Sequence, residues 1–183
     1  NAGLLLERGK IKIVARKIIL PNYDIFDEKR IFSAGGSPQA FKLGALKVGC
    51  IICEDAWHPE VSKMQAKAGA DIIVCLNGSP YERDKLAKRE LVISKRAKET
   101  KLPIIYVNLV GGQDDQVFDG GSFACNNKGQ KIVQFPQFIE KTDFIVCDNH
   151  RGFWEIITET ECSLGCSLSQ DYQAIVTGTK DYI

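Results

Sequence analysis

Residues 46–60, LKVGCIICEDAWHPE, constrain the fold more than any other stretch, because an apolar run stops at Cys53 and charged and aromatic residues follow at once. Leu46, Val48, Ile51 and Ile52 would be apolar on both faces of a strand. That pattern suits a strand buried inside a layered structure better than one with a wet face. Cys53 then falls where the strand turns. A thiol at a strand end can be presented to a pocket, where a neighbouring cation or base makes it a thiolate. A buried structural cysteine is the alternative, since free cysteine is among the most buried residue types.

Upstream, residues 10–20 alternate, so that Ile11, Ile13, Ala15 and Lys17 share one face of a predicted strand and Lys12, Val14 and Arg16 the other. A regular strand points Lys17 inward. An ammonium on a core face is costly unless it is paired or working, although a lysine at a strand end can also snorkel out. Pro21 and Asn22 end the strand, and Tyr23, Asp27 and Glu28 then hang beside the same rim as Lys17.

Downstream, residues 59–69 read as a helix and 70–76 as a second buried strand, closed by a turn at Asn77, Gly78, Ser79 and Pro80. A long helix is predicted over 82–100, with Leu86, Ile93 and Ala97 on one stripe and Ala87 and Leu91 beside it. Its seven Lys and Arg between Arg83 and Lys98 are interleaved with Asp84 and Glu90 and read as a solvated face, not a nucleic-acid site. Pro103 opens a third buried strand. Gly111, Gly112, Gly120 and Gly121 then allow a loop close to a pocket, and Asn126, Asn127 and Gly129 mark a hairpin turn. The glycine pairs lack the spacing of a phosphate-binding fingerprint.

Strand, helix, strand, helix, strand and then a meander predict a layered α/β sandwich. A length of 183 residues, 44% of them hydrophobic, and a formal charge of +1 suit one domain with a core and give no reason to expect a membrane or nucleic-acid partner. The odd total of seven cysteines suits a reducing cytoplasm better than a disulfide framework. Cys50 and Cys53 form C-x-x-C, yet alternation puts them on opposite faces and no second such pair exists, so no metal is expected. His58 and His150 stand isolated. Towards the end, 144–147 and 152–157 read as short strands, 158–170 as a polar linker, and 172–183 as a helix with little to pack against.

The blocks RKIILPNYDIFDEKRIF, GCIICEDAW, LNGSPYERDK and VNLVGGQDDQVFDGGSF, in this order, resemble the carbon-nitrogen hydrolase (nitrilase) superfamily and, within it, the glutamine-hydrolysing domains of glutamine-dependent NAD synthetases. The resemblance implies a nitrilase-like α-β-β-α sandwich, here partial, with Cys53 as nucleophile and Lys17 as catalytic lysine. It also implies that Tyr23, Ser79 and Lys85 bind L-glutamine, Lys85 through the α-carboxylate; Glu54, directly after Cys53, is a further substrate-binding candidate, the alternative being an acid that fixes the loop. No cofactor or metal is implied for these residues. ATP and Mg would belong to a synthetase domain of the same polypeptide, and the assembly would be a homo-oligomer in the cytoplasm. The family's general base is a Glu on a strand end ahead of the block that begins at Arg8, and its SGGxDS phosphate loop would follow residue 183; Gly35, Gly36 and Ser37 lack the Asp and Ser of such a loop. The expected layout is therefore residues 1–157 as a glutaminase domain without its N-terminal part, and 158–183 as a linker and first helix towards the synthetase domain. Residues 1–183 alone should then show no more than trace activity. Two alternatives stay open: another amidase of the superfamily, separable by comparing glutamine with other amides, and an inactive fragment, in which Cys53 would resist a glutamine-like electrophile.

Overall fold

The computed structural model describes residues 1–183. β1 (Ala2–Glu7) and β2 (Lys10–Arg16) form an antiparallel hairpin, followed by a one-turn helix α1 (Glu28–Ile31). β3 (Phe41–Leu43) leads into β4 (Leu46–Ile52), α2 (Pro59–Lys67), β5 (Ile72–Asn77), α3 (Lys85–Thr100) and β6 (Ile104–Asn108). β7 (Val110–Gln113) and β8 (Gln116–Asp119) make a second hairpin, and β9 (Phe123–Cys125) and β10 (Lys131–Gln134) return to the main sheet. A third hairpin, β11 (Cys147–His150) and β12 (Phe153–Ile156), precedes α4 (Ser167–Tyr182).

The main sheet has the order β10-β9-β6-β5-β4-β3. β4, β5 and β6 are parallel, with Ile52 opposite Leu76 and Asn77 opposite Asn108. All three therefore finish at one edge, the place where open α/β sheets expose ligand sites. Ile51, Ile73, Cys75, Tyr106 and Phe123 face the helices and pack with Val61 of α2 and Ile93 and Ala97 of α3. The β1–β2 hairpin lies on the opposite side of β4: a Cβ on Gly3 would come within 2.9 Å of the Cys50 sulfur. Helix layer, sheet and covering hairpin make up the α/β sandwich expected from the strand pattern.

Several local expectations change. Lys17 is inward as alternation predicted, but Ile11 and Ile13 are exposed, because the far half of the hairpin reaches past the sheet. Two cations of the supposedly solvated helix face, Arg89 and Arg96, are buried. The glycine-rich loop is the β7–β8 hairpin, turning at Asp114 with φ +52°. The strand expected over 144–147 begins at Cys147. Within the polar stretch, Thr160 pairs with Val133 at the β10 edge. α4 does find a seat, on β7 and β8, where a Cβ on Gly112 would stand only 3.1 Å from the Cα of Gly178.

Candidate active site

Cys53 sits at the end of β4, the first residue of a one-turn 3-10 helix (Cys53–Ala56), with φ +46°. A non-glycine residue there stores strain of about 1 to 3 kcal/mol, and such positions cluster at functional sites. Asp55, 1% exposed, explains how the turn holds. Its Oδ2 accepts the backbone N–H of Ile52 at 3.1 Å, and its Oδ1 accepts those of Ile18 and Ile19 at 3.0 and 2.8 Å. One carboxylate thereby ties the end of β4 to the segment leaving β2, which places Lys17 at the cysteine turn.

Lys17 is 2% exposed and donates to Glu28 Oε1 at 2.6 Å. The second oxygen of Glu28 is buried with no protein partner. Burial pushes the Cys53 thiol above its ordinary pKa; the Lys17 charge and a backbone N–H pull it down, while Glu54 and Glu28 push it further up. The Lys17 charge thus opposes the effect of burial on Cys53 without outweighing it.

The other predicted residues divide into two groups. Glu54 and Tyr23 are joined directly: the Tyr23 hydroxyl donates to Glu54 Oε2 at 2.7 Å, and burial followed by that carboxylate holds the phenol above its usual range. Glu54 is 8% exposed, and its Oε1 lies 3.3 Å from His58 Nε2, so the histidine read as isolated touches a carboxylate beside Cys53. Asp27, expected on the same rim, turns outward to Arg30. Ser79 and Lys85 stand at the end of β5 and the start of α3. The Ser79 hydroxyl is occupied by Arg89 Nε at 3.1 Å, and its N–H donates to Asn108 Oδ1 at 2.9 Å. Lys85 pairs with Glu82 at 2.7 Å and lies 5.9 Å over the Trp57 ring.

Two residues of the site escape a reading of local pattern. Asp55 was visible only as one acid among several after Cys53. Arg89, inside a basic run, is fully enclosed: Nη1 donates to Asp119 Oδ1 at 2.8 Å, and Nη2 donates to the carbonyls of Ser79 and Pro80 at 2.8 and 2.7 Å. Its position on the stripe of Ile93 and Ala97 was the available signal.

One consequence is measurable. Since burial raises the Cys53 thiol, its alkylation by iodoacetamide should quicken as the pH rises from 7 to 9. Lys17→Met should slow Cys53 further at every pH in that range. A Cys53 rate that is flat from pH 7 to 9 would mean the thiolate is already formed.

Residues 1–149 match the family model described as carbon-nitrogen hydrolase. The whole chain aligns with the glutamine-dependent NAD(+) synthetases of Rhodobacter capsulatus, at 41% identity over 33% of that protein, and Synechocystis, at 37% identity over 35%. It spans about a third of the length of these curated relatives. Among solved structures, the glutamine-dependent NAD+ synthetase of Acinetobacter baumannii in complex with ADP superposes with a TM-score of 0.79 at 36% identity, over 94% of this chain and 32% of that one. A mutant of the amidase from Nesterenkonia, in complex with butyramide, superposes at 0.61 over 69% of this chain and 47% of that one; at 23% identity it bears on the fold alone. No helix is long and apolar enough to cross a membrane.

Proposed function

The chain belongs to the carbon-nitrogen hydrolase family, and from that premise we propose that it hydrolyses the side-chain amide of L-glutamine through a Cys53 thioester, releasing ammonia for ATP-dependent amidation of deamido-NAD. The observation that carries the reading is the Asp55 tie, which sets a buried Lys17 beside a strained Cys53 at the carboxyl edge of the sheet.

The chemistry follows from what an amide lacks. It is a poor electrophile, so the Cys53 proton must leave and the developing oxyanion must be held by charge and N–H donors. Lys17, fixed by Glu28, supplies that charge. Sulfur bonds to the amide carbon, the C–N bond breaks, and the nitrogen departs as ammonia with the proton taken from the thiol. Water then cleaves the thioester to glutamate. The resemblance assigns the proton carrier to a strand-end Glu ahead of Arg8. Within residues 1–183, Glu28 is engaged by Lys17, and Glu54 by Tyr23 and His58. Glutamine carries both an α-ammonium and an α-carboxylate, and Glu54, next to Cys53, and Lys85, over the Trp57 ring, offer the complementary charges. Ser79 contributes through its backbone and its place in the turn, its hydroxyl being held by Arg89.

ATP and Mg would serve the amidation step in a synthetase region of the same polypeptide. Residues 35–37 do not fit a phosphate cradle, because the Gly35 N–H is spent on the Lys17 carbonyl at 2.7 Å. The proposed layout keeps 1–157 as the hydrolase unit and 158–183 as the link, in a cytoplasmic homo-oligomer.

Ammonia release from glutamine and a panel of small amides tests the substrate. Glutamine should exceed butyramide and propionamide in kcat/KM by on the order of 100-fold or more, since both charged ends of the substrate are recognised. Equal turnover of the simple amides would favour the broader amidase reading.

A further inference from the structure

Two of the residues offered to glutamine, Ser79 and Lys85, lie at the two ends of a segment without regular structure. Its inner end is pinned by Arg89 and Asn108. Its middle leans on β8, where the Tyr81 N–H donates to the Val117 carbonyl at 2.7 Å, and on Phe138, whose ring meets Tyr81 edge-on at 5.4 Å. Beyond that, the side chains of Tyr81 and Arg83 reach one acceptor. The Tyr81 hydroxyl donates to Asp171 Oδ1 at 2.8 Å, and Arg83 Nε donates to Asp171 Oδ2 at 2.9 Å. Asp171 belongs to the first turns of α4, outside the stretch that matches the family model.

The seat of α4 is close enough to transmit position. Gly112 and Gly178 let helix and hairpin approach, and the Gly112 N–H donates to Asp181 Oδ2 at 2.6 Å near the other end of the helix. Asp171 thus stands at the anchored start of a helix whose far end is separately fixed. The bonds from Arg83 and Tyr81 hold its carboxyl below the usual range, so it remains charged at neutral pH. Charge-assisted, two-pronged contacts of this kind fix geometry as well as adding energy.

We infer that Asp171 is a positioning residue for substrate: by clasping Tyr81 and Arg83 it fixes the 79–85 segment, and with it the Lys85 ammonium over Trp57, so that α4 sets the glutamine affinity of a site it does not touch. This rests on the proposed glutaminase reading. It also explains why a helix outside the family stretch packs on β7 and β8 at all, since the hairpin backs the same segment through Val117.

The test is steady-state glutamine hydrolysis by the intact enzyme carrying Asp171→Asn, Arg83→Gln, or both, with Asp181→Asn as a control at the other end of α4. Misplacing a binding group by about 1 Å can cost on the order of 100-fold. KM for glutamine should therefore rise roughly ten- to 100-fold in either single variant, with kcat within about threefold, and the double variant should be no worse than the worse single. The rate of Cys53 alkylation by iodoacetamide, which needs no α-carboxylate contact, should stay at the wild-type value. Asp181→Asn, which keeps an acceptor oxygen for the Gly112 N–H and so the seat of α4, should leave KM unchanged. An unchanged KM in Arg83→Gln, whose side chain is 71% exposed, overturns the inference. So does a parallel fall in kcat, alkylation rate and thermal midpoint, the mark of a brace and no more. A wild-type enzyme that labels at Cys53 but does not turn over glutamine sinks the glutaminase reading itself.

Discussion

Cys53→Ala in the intact enzyme should abolish glutamine-dependent activity, and Lys17→Ala should lower it by on the order of 100- to 1000-fold, while activity with ammonium salts persists in both. The sizes differ because the roles differ. Without the sulfur there is no thioester, and nothing else at the end of β4 can replace it. Without Lys17 the nucleophile remains but the oxyanion loses the buried charge that the Glu28 contact holds in place. Removal of Lys17 also relieves Cys53 of the cation that opposes its burial, so less thiolate is available at neutral pH. Under the proposed function ammonia bypasses both steps, because it is the product such a site would supply. Assays of NAD formation with each nitrogen source check the claim. Equal loss of both activities would make the two residues supports of the fold.

The second large effect is on stability. Arg89→Met should destabilise the protein by about 3 to 5 kcal/mol, because it strands Asp119 as an unpaired charge in a place where neither partner is more than 1% exposed. The carbonyls of Ser79 and Pro80 lose a donor in the same change. For a chain of this size the thermal midpoint should fall by roughly 10 °C or more. Adding Asp119→Leu should recover part of the loss, since the stranded charge goes with it, although Gln137 then loses its acceptor. Urea unfolding of the two variants measures the difference. A cost under about 1 kcal/mol for Arg89→Met would mean the guanidinium is far better solvated than its enclosure implies.

Arg89 also marks where reading the sequence stops short. Apolar runs with polar ends announce β4, β5 and β6, and their common direction brings Cys53, Ser79 and Asn108 to one edge. Lys17 was legible for a related reason: strand alternation turns it inward, and an inward cation needs a partner. Arg89 is legible only with the tertiary structure in hand, since a charge on a helix face is normally solvated and its burial depends on Asp119 arriving from β8, thirty residues later. The same limit hid the β7–β8 hairpin, where paired glycines argue for a loop and the pairing is stabilised by a helix far along the chain. Asp55 is the subtler case. Its neighbours Cys53 and Glu54 draw attention by their chemistry, whereas its own work is to collect three N–H groups from two separate segments, which no local pattern encodes.

The most direct test of the account is peptide mapping of the intact enzyme after treatment with an electrophilic diazoketone analogue of glutamine. One equivalent should attach, on the peptide containing Cys53, with protection by glutamine and no labelling in Cys53→Ala. Attachment to Cys50 or Cys75 instead, or continued glutamine turnover by an enzyme whose Cys53 is unmodified by the analogue, would contradict it.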